Sequence, residues 1–200
     1  MISRLIPVVR NYSVSCPTIE NRYLRFIERN KVQLFAKATP NPNTIQICPD
    51  GIHPDQLPSH PVTLTRESQS SQIPISLIFS HVPEIHSMML DSDFISVKFY
   101  QFKYPFLDRV MYILLRYLSS GEQLVSSEPK SSQKETSSLL PDIQEIIDES
   151  VQPFVRSHGG YIEPLDIADR TLYVSLQGSC DGCSFSEETL INGVLQILQA

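Results

Sequence analysis

Residues 178–188 read GSCDGCSFSEE and place two cysteines, Cys180 and Cys183, three positions apart. Ser184 and Glu187 have the S-x-x-E spacing of a capping box, so a helix is predicted to begin directly after the second cysteine. A thiol at a helix N-terminus lies near the positive end of the helix dipole, which favours its thiolate form. Such a pair can be a redox couple, half of a zinc site or half of an iron–sulfur site.

The residues around this stretch predict a small domain in which a helix, a hairpin and a second helix follow one another. Apolar residues recur at helical spacing over 143–154, and Pro153 is expected to loosen the last turn. Alternation then predicts a hairpin of Tyr161–Ile167 and Arg170–Leu176. Its inward residues are expected to be Leu172, Val174 and Leu176. The apolar face of the final helix comprises Leu190, Ile191, Val194, Leu195 and Leu198.

The first half of the chain predicts a separate domain of strands and one long helix. Alternating apolar residues predict strands at Lys31–Lys37, Thr44–Cys48 and Phe94–Phe99. Helical spacing predicts a helix over Pro105–Leu118, with Gly121 just past its end. Thr39–Asn43 (TPNPN) is predicted to be a rigid loop. His53–Gln72 is predicted to be mostly loop, and Pro74–Ser80 is predicted to be a short helical turn.

Composition predicts the domain boundaries. The segment SSEPKSSQKETSS at 126–138 has no side chain suited to a core, so it is predicted to be a flexible linker. The predicted class is α+β: two small α/β domains at 31–125 and 139–200, joined by this linker. The second has the order α-β-β-α, with the CxxC loop before its last helix.

Residues 1–30 are expected to be a mitochondrial presequence followed by disordered chain. The first acidic residue is Glu20, whereas Arg4, Arg10 and several hydroxyl residues precede it, which is typical of transit peptides. The tetrapeptide RNYS at 10–13 resembles a presequence processing site, with the cut expected after Tyr12.

Charge and hydropathy narrow the classes of partner. The 200-residue chain has a formal net charge of −6, and residues 139–200 hold ten acidic and two basic side chains. This acidic segment repels phosphate backbones, so no nucleic-acid partner is expected. The sequence has no uninterrupted apolar run of about 18 residues, so no membrane span is expected. Of the four cysteines, Cys16 and Cys48 lack metal-ligand spacing and are taken as incidental.

The number of available ligands helps to distinguish the kinds of site that a CxxC pair can form. A closed zinc or 4Fe–4S site needs four ligands, and this spacing offers two, Cys180 and Cys183. We therefore expect a dimer in which two copies each supply both thiols. His158 is interpreted as a solvated or helix-capping residue. A redox pair and a structural disulfide stay open as alternatives, although a thioredoxin-like pair normally follows a strand in a βαβ unit.

Four motifs along the chain resemble one known family. They are G-S-C-x-x-C-x-x-S-x-x-T-L-x-x-G at 178–193, the element Pro153…Gly159-Gly160, TPNPN at 39–43 and DFISV at 93–97. Together they are similar to the NifU-like iron–sulfur scaffold and carrier family in its mitochondrial two-domain form, over roughly Phe35 to Ala200. Departures from that pattern are Ser184 in place of proline, His158 and Tyr161 in place of acids, and Glu84 and Asp91 in place of glycines. Family members also usually continue into a third strand after the last helix.

The resemblance implies an iron–sulfur assembly protein that is not an enzyme. Cys180 and Cys183 match the cluster ligands, and no residue matches a catalytic role. The implied cofactor is a 4Fe–4S or 2Fe–2S cluster held between two subunits of a homodimer in the mitochondrial matrix. The implied partners are upstream assembly proteins and recipient apoproteins such as lipoyl synthase or respiratory-complex subunits. A thioredoxin-like dithiol–disulfide oxidoreductase using the same cysteines is the alternative.

Overall fold

The computed structural model describes residues 24–27, 32–67, 73–121, 123–124, 140–168 and 171–183. Within these residues two sheets form, one of six strands and one of two. The strands are β1 (Leu24–Ile27), β2 (Gln33–Ala38), β3 (Thr44–Asp50), β4 (Val62–Thr65), β5 (Ile85–Leu90), β6 (Ile95–Phe99), β7 (Gly160–Ala168) and β8 (Thr171–Gly178). The helices are α1 (Ile73–His81), α2 (Tyr104–Ser120), α3 (Leu140–Ser150) and α4 (Gln152–Ser157). No described helix is long and apolar enough to cross a membrane.

The first sheet and its helices, residues 24–124, form what we call the six-stranded unit. Its strand order is β1-β2-β3-β6-β5-β4, with every neighbouring pair antiparallel. One face is apolar and packs under α1 and α2, where Leu34, Ile47 and Val97 are fully buried. Because side chains alternate along a strand, the opposite face carries the polar residues of β3 and β6. Register pairs Gln46 with Ser96 and Thr44 with Lys98 on that face.

Helix α2 is the long helix that apolar periodicity predicts. Pro105 lies in its first turn, where a missing N–H costs nothing. Five apolar residues of one face are buried: Leu107, Val110, Met111, Leu114 and Leu118. Gly121 ends the helix at φ +81°, and its N–H donates to Leu118 O at 3.3 Å. This left-handed end suits glycine, as the sequence predicts.

The described residues 140–183 form what we call the CxxC unit. Helices α3 and α4 pack on the hairpin β7–β8 around Ile147, Val151, Val155 and Ile162. The predicted single helix breaks at Val151, so that Pro153 stands in the first turn of α4. The predicted hairpin is confirmed, with a register shift between Pro164 and Asp166. The inward orientation predicted for Val174 is wrong, because this side chain is exposed opposite that shift.

Several expectations need correction, although the mixed helix-and-sheet class is confirmed. Residues 1–30 are not wholly disordered, since Leu24–Ile27 pairs with β2. The segment His53–Gln72 contains β4, whose Leu64 is buried against the core. The short turn at Pro74–Ser80 is a nine-residue helix, α1. The predicted linker, the final helix and its capping box at Ser184 lie outside the described residues.

Candidate metal centre

The CxxC loop is a tight turn that leaves the end of β8. Gly178 and Gly182 adopt φ +65° and +62°, conformations that residues with a Cβ rarely take. The Ser179 N–H donates to Gly159 O at 3.0 Å, and its Oγ donates to His158 O at 2.5 Å. The Cys183 N–H donates to Cys180 O at 3.3 Å and closes the turn. Gly182 thus lets the backbone turn between the two cysteines.

Both sulfurs lie inside the protein. Cys180 and Cys183 are reduced, and each is 4% exposed. Cys180 packs into the small core of the CxxC unit beside Ile147 and Val155. A Cβ at position 160 would collide with the Cys180 sulfur, so Gly160 is required by close approach. The Gly159-Gly160 pair that ends the helical region therefore also shapes the pocket of one thiol.

Burial keeps one of the two cysteines protonated. Desolvation raises the pKa of the Cys180 thiol to about 11, with a smaller contribution from Cys183 in the same direction and an opposing hydrogen bond from Ser179. The thiolate form predicted from a helix N-terminus concerns Cys183, and the helix predicted to follow it lies outside the described residues. A metal ion binding here must displace the Cys180 proton, which couples metal affinity to pH.

The loop also contacts the six-stranded unit. Lys98 Nζ donates to Asp181 O at 2.9 Å and forms an ion pair with Asp181 Oδ2 at 2.5 Å. Asn41 Nδ2 donates to Ser179 O at 3.2 Å and to Asp181 O at 3.4 Å. Sequence reasoning missed these contacts. The TPNPN loop signalled the place of Asn41, but no local pattern marks Lys98.

A second polar cluster joins the two units beside this loop. Arg156 Nη1 lies 3.0 Å from Asp91 Oδ2, and Arg156 Nη2 lies 2.5 Å from Asp93 Oδ1. Burial raises the pKa of Asp91, while the Ser92 backbone N–H and Arg156 act in the opposite direction. Asp91, which replaces a common glycine of the resembled family, closes its turn through its N–H to Phe94 O at 2.9 Å. It thus has a role that sequence reasoning did not foresee.

Other candidate ligands lie elsewhere. His158 follows α4 as its C-terminal capping residue, and its ring meets the Phe154 ring edge-on at 4.5 Å, in keeping with the predicted capping role. Cys48 is half-buried in β3, and Cys16 lies outside the described residues. Across the described ranges, no three His, Cys, Asp or Glu side chains gather into a group able to hold a metal. The CxxC loop therefore remains the candidate site among the described residues, and its two thiols are half of the ligands that a closed zinc or 4Fe–4S site needs.

A reduced two-thiol loop at the end of a hairpin defines a class of candidate metal-binding proteins, and sequence comparisons narrow that class. Residues 143–200 match the NifU-like domain family. A NifU-like protein of Schizosaccharomyces pombe is 26% identical over 209 residues, which cover 97% of this chain and 76% of that protein. The human mitochondrial NFU1 iron–sulfur cluster scaffold homolog is 27% identical over 173 residues, which cover 80% of this chain and 65% of that protein.

A solved structure is also similar. The solution NMR structure of a NifU-like protein from Saccharomyces cerevisiae has 17% sequence identity and a TM-score of 0.45, covering 55% of this chain and 97% of that one. The domain match identifies residues 143–200 as a NifU-like domain, and the two relatives support a place for the chain among the NifU-like iron–sulfur scaffold proteins. The resemblance found in the CxxC block is thereby confirmed.

Proposed function

We propose that this protein is a mitochondrial iron–sulfur cluster carrier that binds its cargo through Cys180 and Cys183. The observation that carries the proposal is the tight turn that holds two reduced thiols three residues apart. The relative named as an iron–sulfur cluster scaffold, aligned with 80% of this chain, supports the kind of cargo. The mitochondrial names of such relatives support the compartment, and we extend it to the matrix.

The proposed carrier is a homodimer when loaded. Four thiolates complete the ligand set of a 4Fe–4S cluster, and two CxxC loops supply four. Such a cluster lies at a subunit boundary, where a recipient can reach it. The cargo arrives from upstream assembly proteins and leaves to apoproteins such as lipoyl synthase or respiratory-complex subunits.

Transfer proceeds by ligand exchange at iron, without net redox change. A thiolate of the recipient binds iron as a carrier thiolate leaves, and the departing Cys180 sulfur takes up a proton from solvent. The raised pKa of Cys180 assists this step, because a buried thiol is more stable protonated than as an unpaired thiolate. The same property that opposes loading therefore favours release.

We propose a carrier rather than the alternative dithiol oxidoreductase, and hence a protein that is not an enzyme. An attacking redox cysteine has a lowered pKa, because the thiolate is the nucleophile. The pKa of Cys180 is instead raised to about 11. The CxxC loop also follows an antiparallel hairpin, β7–β8, whereas a thioredoxin-like pair follows a strand of a βαβ unit.

Anaerobic reconstitution with iron and sulfide tests the proposal. We expect about two irons and two sulfides per chain for one shared 4Fe–4S cluster, or about one of each for 2Fe–2S, together with dimer mass. Cys180→Ser and Cys183→Ser should each abolish cluster binding. Cys48→Ser is the matched control, because it removes a half-buried thiol from β3, and it should leave iron content unchanged.

Two results would contradict the carrier. One is a colourless product that nevertheless catalyses disulfide exchange, which would favour the oxidoreductase. The other is full iron content in Cys180→Ser, which would refute the ligand assignment.

A further inference from the structure

The polar face of the six-stranded unit is built to hold a particular partner. Gln46 and Ser96 lie side by side on β3 and β6, on the face away from the helices, and both are buried. Buried polar side chains need hydrogen-bond partners. Gln46 Nε2 donates to Arg156 O at 2.9 Å, and Ser96 Oγ donates to Gly159 O at 2.5 Å. The partner of this face is therefore the backbone of the CxxC unit.

The CxxC loop is held at the same face. Lys98 follows Ser96 by two residues on β6 and so points to the same side, where it reaches both the carbonyl and the carboxylate of Asp181. The Lys98 side chain is 17% exposed, so this ion pair is partly shielded from water. Asn41 adds two donated hydrogen bonds to the loop carbonyls. These contacts fix Ser179 and Asp181, on either side of Cys180, against the six-stranded unit.

Two glycines shape the CxxC unit for this contact. A Cβ on Gly159 would lie 2.7 Å from Ser96 Oγ, and one on Gly178 would lie 2.5 Å from Gly159 O of the same unit and 2.8 Å from Met89 Cε. A carbon atom cannot come closer than about 3 Å to another heavy atom unless one of the two is displaced. Both glycines also have positive φ, so backbone conformation and close packing require the same residue type at both positions. The contact between the two units therefore extends from Met89 on β5 to Asn41, which precedes β3.

We propose that the six-stranded unit is a cap on the CxxC loop, which a second copy of the chain must displace before it can share a cluster with Cys180 and Cys183. This inference rests on the proposed function, because the competitor is the other half of the cluster site. In the capped form Asn41 and Lys98 occupy Ser179 and Asp181, the residues on either side of Cys180, so this face of the loop is not available to another chain. The cap thus makes loading depend on its release.

Thiol alkylation of the cluster-free protein tests the cap without any cluster. Lys98→Glu converts the ion pair with Asp181 into a repulsion. Asn41→Asp keeps the oxygen that accepts from the Asn43 N–H at 3.1 Å but removes the donors to the loop. Iodoacetamide labelling of Cys180 and Cys183, read site by site from peptide masses, should become roughly 5- to 30-fold faster in both variants. Lys103→Glu reverses an exposed charge of the same unit and should leave these rates unchanged.

Unchanged rates at Cys180 and Cys183 in both Lys98→Glu and Asn41→Asp would overturn the cap. Iron uptake, followed in the same variants, separates the two proposals. Faster labelling with no iron bound by any form would retain the cap and refute the carrier. Faster labelling with faster iron uptake supports both.

Discussion

The six-stranded unit and the CxxC unit differ in how their described residues are held together. The core of the first draws on five strands and both helices, with Phe79, Leu90 and Phe99 among its largest buried side chains. The described core of the second consists of four aliphatic residues and Cys180. A core of this size leaves little stability to the described residues once the chain's conformational entropy is offset. Cys180, a proposed cluster ligand, is part of this described core, so we expect ligation and folding to be coupled in the CxxC unit.

This difference explains why the two units contact each other through polar groups. The six-stranded unit buries its apolar face under its own helices, and its polar face then receives the backbone of the CxxC unit. Hydrogen bonds and ion pairs of this kind each contribute about 1 kcal/mol, whereas burial of one large apolar side chain contributes more. Such a contact can order the smaller unit and still be released.

The largest loss of unfolding free energy is expected when one buried aliphatic side chain is truncated in each unit. Ile47 on β3 and Ile147 on α3 are both fully buried. Replacement by Ala should cost about 3 kcal/mol of unfolding free energy at either site. In Ile147→Ala this loss should unfold the CxxC unit alone, because its core is small. Hydrogen exchange should then show fast amides over 140–183 and protected amides in the six-stranded unit.

Ile47→Ala is the matched variant for this comparison. It should weaken protection across the six-stranded unit, and with it the docking of the CxxC unit. Uniform loss of protection over both units in Ile147→Ala would show that they unfold together, and the contrast drawn between their cores would then be wrong.

The sequence predicts those elements whose pattern is local. The apolar period of α2 and the glycine after it are both local signals, and both predictions are confirmed. Strand β4 was missed because Thr63 and Thr65 dilute its apolar character, and Leu64 is buried while Val62 packs only partly against the core. Likewise, the CxxC motif identified both thiols from residue type and spacing alone.

What could not be predicted are the contacts between distant segments. Lys98 and Asp181 are 83 residues apart, and nothing near Lys98 distinguishes it from an ordinary strand lysine. The raised pKa of Cys180 has the same origin, because the side chains that desolvate it come from α3, α4 and β7. The capping of the loop is thus a tertiary property of this chain.

A smaller loss of stability is expected when Gly160, the glycine that lies against the Cys180 sulfur, is replaced. Gly160→Ala would force a methyl group into the Cys180 sulfur, and overpacking of this kind costs about 2 kcal/mol. Thermal unfolding should show the loss, and cluster binding should fall with it. Gly121→Ala is the control: no atom lies within 4 Å of its Cβ, and its positive φ alone should cost about 1 kcal/mol. Equal iron content in Gly160→Ala and the parent would show that ligation tolerates displacement of Cys180.

The smallest loss of unfolding free energy is expected when the ion pair between Arg156 and Asp91 is removed, and this loss should depend on pH. Arg156→Met removes the partner of Asp91, whose side chain is 1% exposed, and should lower the unfolding free energy at pH 7 by about 1 kcal/mol. Burial already raises the pKa of Asp91 above 3.8 in the folded protein, and loss of Arg156 should raise it further. A carboxyl with a raised folded pKa binds its proton more tightly when folded, so stability falls as pH rises through that pKa.

The difference in stability between Arg156→Met and its parent should therefore shrink as the pH is lowered from 7 towards 4, because Asp91 becomes neutral in the variant first. Denaturant unfolding at a series of pH values measures this difference directly. In the Asp91→Asn background, Arg156→Met should give a smaller difference that depends less on pH, because the ion pair with Asp93 is then the contact that titrates. A difference that stays constant with pH while Asp91 is present would show that Arg156 acts through its contact with the Phe94 ring instead.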